Sequence, residues 1–157
     1  MKHLQSMNIK EVNNMNQPFR KILVAYDGSE HARKALDVAI KLAVVTGAEL
    51  HSISVEEDLP KYVATVGEFE EVKRQRDAYF EQLTTEAQEM AWTYGVKLHT
   101  HVQAGHEVET IVRFCQDGEF DLLVIGFMGH SRIFERVWGS TSQSLTRLAP
   151  CSVLVVK

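Results

Sequence analysis

Apolar runs that alternate with helical stripes divide the chain into strands and helices from residue 21 onward. Five short apolar runs predict buried strands at residues 21–26, 49–55, 96–102, 120–125 and Ser152–Val156. Between them, apolar residues spaced three and four apart predict four helices, which end at Gly47, Gly95, Gly118 and just before Pro150. The third run is polar at alternate positions, which predicts an edge strand, whereas the fourth run is nearly all apolar and predicts a central one.

This regular alternation predicts an α/β fold, a single doubly wound domain with a five-stranded parallel sheet flanked by four helices. The 157 residues suit one domain. We predict that it spans residues 19–157 and follows a flexible, polar leader of residues 1–18, which has no apolar stretch typical of a secretory signal. Residues 59–67 contain Pro60 and have no clean period, so they predict a long loop.

Composition and charge narrow the classes of partner. A formal charge of −4 leaves no basic excess for nucleic acid, and no apolar run approaches the roughly 18 residues of a membrane span. Cys115 and Cys151 lie in apolar segments without metal-ligand spacing. We therefore predict two buried thiols in a reducing compartment, the cytoplasm.

One glycine-rich stretch, residues 126–141, carries the clearest chemistry. Gly126 and Gly129 follow the fourth strand and allow close approach of a ligand, and Gly139, Ser140 and Thr141 open a helix with unpaired N–H groups and hydroxyls. That combination suits a phosphate group. Taken alone, Gly126 and Gly129 are weak evidence, since any tight turn between a strand and a helix favours glycine.

The strand order decides which residues meet this stretch. If the order is 3-2-1-4-5, ligands bind beyond the carboxyl ends of the first and fourth strands, where the order reverses. Asp27 leaves the first strand there, and its carboxylate suits sugar hydroxyls or a metal ion that bridges phosphates. The backbone near Val55, at the end of the second strand, is the natural place for adenine. Turn chemistry alone is the other interpretation of Asp27.

The sequence resembles the universal stress protein family over residues 21–157. The resemblance rests on the segment Val-Ala-Tyr-Asp-Gly-Ser at residues 24–29, on the ending Ala-Pro-Cys-Ser-Val-Leu-Val-Val at 149–156, and on the motif Gly-x2-Gly-x9-Gly-Ser at 126–140. It implies the ATP-binding branch of the family, with ATP, with or without Mg²⁺, in the crevice described above. It also implies a homodimer in which two Ser152–Val156 strands meet antiparallel.

The resemblance also implies which residues would contact each part of the ligand. Asp27 and Val55 would line the adenosine end and Gly105 the pocket edge, while Gly126, Gly129, Gly139, Ser140 and Thr141 would hold ribose and phosphates. His130 and Arg132 follow Gly129, and Arg132 could neutralise phosphate charge. Phe127 and Met128 are bulkier than the residues common between these glycines.

Three functions stay open at this point. No catalytic set accompanies His130, Ser131 and Arg132, so we favour a nucleotide-dependent regulatory or stress-response module and assign no catalytic residue. A slow ATPase or phosphotransferase is the second interpretation. The third is a nucleotide-independent dimeric adaptor, which would use residues 59–67 or four apolar residues of the motif spacer: Ile133, Phe134, Val137 and Trp138.

Three histidines raise a metal hypothesis. His99 and His101 share one face of the third strand, and His51 lies on the strand predicted beside it. Solvated histidines on an edge strand are the preferred interpretation, so we predict no metal ligand.

Overall fold

The computed structural model describes residues 17–57, 66–128 and 139–157, and these residues form a parallel sheet packed between helices. In chain order the elements are β1 Lys21–Ala25, α1 Glu30–Thr46, β2 Glu49–Glu56, α2 Val66–Trp92, β3 Leu98–Ala104, α3 Glu107–Asp117, β4 Leu122–Gly126, α4 Ser140–Leu148 and β5 Ser152–Val156. Every neighbouring pair of strands is parallel, in the order β3-β2-β1-β4-β5. The predicted fold class and strand order are confirmed.

Several predictions fall on residues outside these ranges. They include most of the leader, residues 59–65 of the predicted loop, and Gly129 with the whole motif spacer. The described part of the loop contradicts the prediction, because α2 already begins at Val66 and includes Gly67.

The residues that the sequence places at the two ends of α1 cap this helix. The Ser29 hydroxyl accepts a hydrogen bond from the Ala32 N–H at 3.2 Å and caps the helix N-terminus. At the other end Gly47 adopts φ 71°, and its N–H donates to the Ala43 carbonyl. These two caps direct the chain from β1 to β2 with no long connection.

The sheet separates two apolar cores because side chains alternate along each strand. Ile22, Val24 and Leu50 face α1 and α2. Leu23, Leu123 and Ile125 face α3 and α4 on the other side. Both faces of β4 are covered, and Leu122–Ile125 are at most 3% exposed, so the predicted inner position of this strand is confirmed.

The apolar stripe predicted along α2 is only partly a core stripe. Leu83, Ala87 and Ala91 are buried, but Phe69 and Tyr79 are 45% and 46% exposed. Val72 and Tyr79 in the first half of the helix line a cavity instead of packing in the core. None of the helices in the described ranges is long and apolar enough to span a bilayer.

Two further residues depart from the sequence-based expectation. Leu148, predicted to point inward, is 59% exposed, although it follows the buried Leu145 by three residues; it is the last residue of α4. Cys115 is buried as predicted, and a hydrogen bond with Cys151 and its burial raise the pKa of its thiol. Cys151 is only half-buried, since it precedes the edge strand β5.

A buried hydroxyl in α3 yields the first prediction. Thr110 is 6% exposed, and its Oγ1 has no hydrogen-bond partner among the described residues. We expect Thr110→Val to stabilise the chain by about 1 kcal/mol, a rise in melting temperature of about 2–4 °C, because it removes an unsatisfied polar atom. Thr46→Val is the matched control: the Thr46 hydroxyl donates to the Leu42 carbonyl and accepts from the Ala48 N–H. Its replacement should destabilise the fold, and a lower melting temperature for both variants would contradict the prediction.

Candidate functional site

A cavity of about 620 Å³ opens at the carboxyl ends of β1, β2 and β4. This volume lies within the range typical of small-molecule sites. The N-termini of α3 and α4 line one side. Six residues of α2 cover the cavity: Val72, Gln75, Arg76, Tyr79, Phe80 and Leu83. The cavity therefore lies where the strand order reverses, between β1 and β4.

The structure brings most of the sequence-predicted residues together around this cavity. Six of them line it: Asp27, Val55, Gly126, Gly139, Ser140 and Thr141. Gly105 ends the turn after β3 and is not among the lining residues; its N–H donates to the Glu56 carbonyl at 3.0 Å. Gly129, His130 and Arg132 lie outside the described residues.

Asp27 has a structural role as well as a place in the cavity. Its Oδ1 accepts the Ser29 N–H at 2.9 Å, which shapes the turn into α1. The Tyr79 hydroxyl donates to the Asp27 backbone carbonyl at 3.3 Å and so ties α2 to the end of β1. One carboxylate oxygen of Asp27 is therefore engaged in a hydrogen bond of this turn.

The two described glycines of the motif differ in what surrounds them. A Cβ on Gly126 would lie 2.7 Å from the carbonyl carbon and 2.8 Å from the oxygen of His31. Gly126 is therefore needed for the packing of α1 against β4, whereas the sequence analysis explained this glycine by close approach of a ligand. A Cβ on Gly139 would meet nothing closer than the Phe127 oxygen at 3.6 Å, so the protein's own packing does not require glycine there.

The first turn of α4 carries the donors expected of an anion site. Gly139 is its N-cap residue and, having no side chain, supplies no side-chain cap to the first turn. The Ser142 hydroxyl, which sequence reasoning missed, donates to the Gly126 carbonyl at 2.8 Å and fixes the helix start against β4. Because the first N–H groups of a helix have no intrahelical acceptor, this end of α4 can bind an anion in the cavity.

A carboxylate that the sequence did not single out lies beside these donors. Glu107, the first residue of α3, accepts a hydrogen bond from the Thr141 hydroxyl at 3.0 Å. Burial raises the pKa of Glu107, and the charges of Asp27 and Glu57 raise it further. Its place in the first turn after Gly105 is the signal that could have identified it, but such a residue equally suits a helix N-terminus.

Arg76, the basic residue among the described residues that line the cavity, is already paired. Arg76 of α2 lies 3.1 Å from the Glu56 carboxylate and also contacts the Glu57 carbonyl. The described wall of the cavity therefore combines backbone and hydroxyl donors with three carboxylates, Asp27, Glu57 and Glu107. An anionic ligand would be favoured by an accompanying cation or by protonation of Glu107.

The histidines on β2 and β3 do not behave as solvated edge residues. His51 is 8% exposed, and its Nδ1 lies 2.9 Å from Nε2 of His101. Burial lowers the pKa of both imidazoles. For His51 the expectation of a solvated side chain is wrong, because β2 is an inner strand and Phe120 packs against the imidazole. His101 lies on the edge strand β3 and is half-buried beside Phe114.

Together these observations define a class, a doubly wound α/β domain with a cavity at its topological switch point. The model of the universal stress protein family matches residues 18–157, and the chain belongs to this family. A universal stress protein of Thermus aquaticus is 36% identical over 141 residues, which cover 88% of this chain and 99% of that protein.

Solved structures agree with this assignment. Universal stress protein UspA from Lactobacillus plantarum superimposes with a TM-score of 0.79 at 27% identity, covering 90% of this chain and 100% of that one. A universal stress protein crystallised in complex with cAMP superimposes with a TM-score of 0.69 at 23% identity, covering 88% and 97%. This second likeness shows a shared fold.

Proposed function

We propose that the chain binds an adenine nucleotide, ATP with Mg²⁺, in the cavity between β1 and β4 and acts as a nucleotide-dependent regulatory module in the cytoplasm. The observation that carries the proposal is the meeting of Asp27, Gly126 and the first turn of α4 around one cavity of suitable size. Solved members of the family contain cAMP, dAMP and AMP. ATP is our extension of that ligand class.

Each part of the cavity suits one part of the nucleotide. The base would lie near Val55, where apolar side chains of β2 and α2 line the wall, and Asp27 would accept a ribose hydroxyl. Ser140 and the N–H groups of α4 would bind phosphate, and the Thr141 hydroxyl would do so by exchanging its hydrogen bond to Glu107 for one to the ligand. Gly129, His130 and Arg132 would add contacts from the motif. Gly105 would hold the rim at the start of α3, and Mg²⁺ would offset the nearby carboxylates.

Slow ATP hydrolysis is a second candidate, and Glu107 is the observation in its favour. A partly buried carboxyl with a raised pKa beside a phosphate-binding hydroxyl can serve as a general base. We favour regulation because Glu107 is held by Thr141. Repeated turnover that disappears in Glu107→Gln would favour the enzyme instead.

The proposed module is a homodimer through β5. This strand lies at one edge of the sheet, and within the described residues it pairs with β4 alone. A second β5 could add to the sheet in antiparallel fashion and cover the open edge. Native mass spectrometry would report the dimer and its bound nucleotide in one spectrum; a monomer at micromolar concentration would contradict this part of the proposal.

Ser140 provides the test of nucleotide binding. It is exposed at the start of α4 and lines the cavity. Loss of one hydrogen bond to a charged phosphate should weaken ATP binding about tenfold or more in Ser140→Ala, measured by calorimetry with ATP and Mg²⁺. Ser144→Ala on the same helix, outside the cavity lining, is the control and should bind like the wild type. Absence of adenine nucleotide from denatured protein, together with no heat of binding at millimolar ATP, would refute the proposal.

A further inference from the structure

A second cluster of chemically active side chains lies at the opposite end of the sheet from the cavity. His51 of β2 is in register with His99 of β3, and Glu49 precedes His51 by two residues on the same strand. Residues two apart on a strand, and residues in register on neighbouring strands, share one face of the sheet. Glu49, His51 and His99 therefore lie together on the α3 face, near the first residues of β2.

The distances within this cluster suit a metal ion. One oxygen of Glu49 and one ring nitrogen from each of His51 and His99 all lie within 4.8 Å of one another. The Glu49 side chain is 53% exposed and His51 only 10%, so the group has a floor of buried imidazole and an open side toward solvent. A zinc ion with donors at about 2.0–2.2 Å needs them roughly 3.4 Å apart. The exposed Glu49 and the half-buried His99 can move inward by the remaining distance.

His51 is held in place by its neighbours. Its Nδ1 lies 2.9 Å from His101 Nε2, and its Nε2 lies 2.7 Å from Glu49 Oε1. The edge of the Phe120 ring packs against the imidazole, with the ring centroids 5.0 Å apart. In the neutral tautomer that carries its single proton on Nδ1, His51 can coordinate a metal through Nε2 while the Nδ1–H donates to Nε2 of His101, whose own proton is then on Nδ1. His101 would then orient the ligand through the hydrogen-bond contact already present.

We propose that Glu49, His51 and His99 bind one Zn²⁺ ion, with water at the fourth position and His101 as a positioning residue for His51. Two imidazoles and a carboxylate are a donor set that zinc prefers, and three protein ligands leave an open position. The Lys21 ammonium group, a nearby positive charge, is occupied elsewhere: it lies over the Phe120 ring at 4.6 Å and donates to the Gly118 carbonyl.

The test is zinc binding by tag-free, chelator-treated and nucleotide-free protein, measured by calorimetry with ZnCl₂ and by metal analysis after dialysis. We expect one Zn²⁺ per chain and an affinity at least about tenfold lower in His99→Ala and in Glu49→Gln. His106→Ala is the control, because it removes an exposed histidine from outside the cluster and should leave the affinity unchanged. The absence of stoichiometric zinc, or wild-type affinity in both ligand variants, would overturn the proposal.

The positioning role of His101 has its own readout. His101→Phe should weaken zinc binding about tenfold, and His101→Gln, which keeps a hydrogen-bond acceptor, should restore most of it. Equal affinity in these two variants would remove His101 from the proposal. Wild-type protein with bound Co²⁺ should show the visible absorption of a tetrahedral site, and Glu49→Gln should not. The Glu49 side chain is exposed, so we expect this variant to fold normally. Because nucleotide-free protein is used, a failure of the proposed function leaves this result unaffected.

Discussion

Replacing Gly126 with alanine is expected to lower the melting temperature by about 2–12 °C, equivalent to about 1–3 kcal/mol of stability. The new Cβ would lie 2.7 Å from the His31 carbonyl carbon, 2.8 Å from its oxygen and 2.9 Å from its Cβ. Two of these atoms belong to the backbone in the first turn of α1. They cannot move away as the end of a flexible side chain can, so α1 must shift against β4.

Gly139→Ala is the matched control for this variant, since both glycines belong to the same motif. The nearest atoms to its new Cβ lie at 3.6, 3.7 and 3.8 Å, which are ordinary contacts, and its φ of −57° suits alanine. We expect a stability loss of at most about 1 kcal/mol from the poorer helix cap, but about tenfold weaker ATP binding if the phosphate approaches the backbone closely. Thermal unfolding without nucleotide and calorimetry with ATP separate the two effects. A Gly126→Ala protein that unfolds within about 1 °C of the wild type would contradict the packing argument.

Glu107→Gln is expected to strengthen the binding of phosphate-bearing nucleotides about tenfold at pH 8. The substitution removes a negative charge from the side of the cavity where Thr141 and the α4 N-terminus would hold phosphate. Glutamine keeps an oxygen that can accept the Thr141 hydrogen bond, so the local geometry should persist. A tenfold change corresponds to about 1.4 kcal/mol, a modest like-charge repulsion at a half-buried site.

The pH dependence of binding follows from the raised pKa of Glu107. Above that pKa the carboxyl is charged and repels phosphate; as the pH falls through it, the group becomes neutral and the repulsion disappears. Wild-type affinity should therefore rise relative to that of Glu107→Gln as the pH is lowered from 8 toward 5. The same sign applies to stability: the penalty of the buried charge is present above the raised pKa and is lost as the pH falls through it.

Two controls isolate the contribution of Glu107. Glu109→Gln removes the same charge from the same helix at an exposed position and should bind ATP like the wild type. Adenosine has no phosphate and should bind both Glu107 forms with equal affinity at every pH. If the ATP affinities of wild type and Glu107→Gln stay in constant ratio between pH 5 and 8, the carboxyl does not face the phosphate.

Patterns within single segments were enough to predict most of the fold. Strand and helix periodicity depends on neighbours two to four residues away, so β1 to β5 and the four helices could be recognised from spacing alone. Ser29 and Gly47 could be placed at the two ends of α1 for the same reason. The convergence of Asp27, Gly126 and Gly139 then followed from the parallel strand order, because carboxyl ends of parallel strands meet at one edge of the sheet.

The features that were not predicted correctly depend on contacts between segments far apart in the sequence. The apolar residues of α2 near Tyr79 and Phe80 fit a helical stripe, and nothing in that spacing distinguishes a core contact from a cavity wall. An acidic residue such as Glu107 is common in the first turn of a helix, and only the folded structure shows that Thr141 lies beside it. The predicted burial of Leu148 and of Cys151 failed at the last elements of the chain, where the sheet has an open edge.

The amino-acid sequence was sufficient to predict the order of elements and the edge of the sheet at which the cavity opens, because those properties follow from local spacing and chain direction. The contacts of each site residue became visible only in the folded chain. Folding places the His31 backbone against Gly126, Glu107 against Thr141, and His51 between Glu49 and His101. These contacts arise from the register of neighbouring strands and the packing of helices far apart in the chain, and no pattern within one segment encodes them.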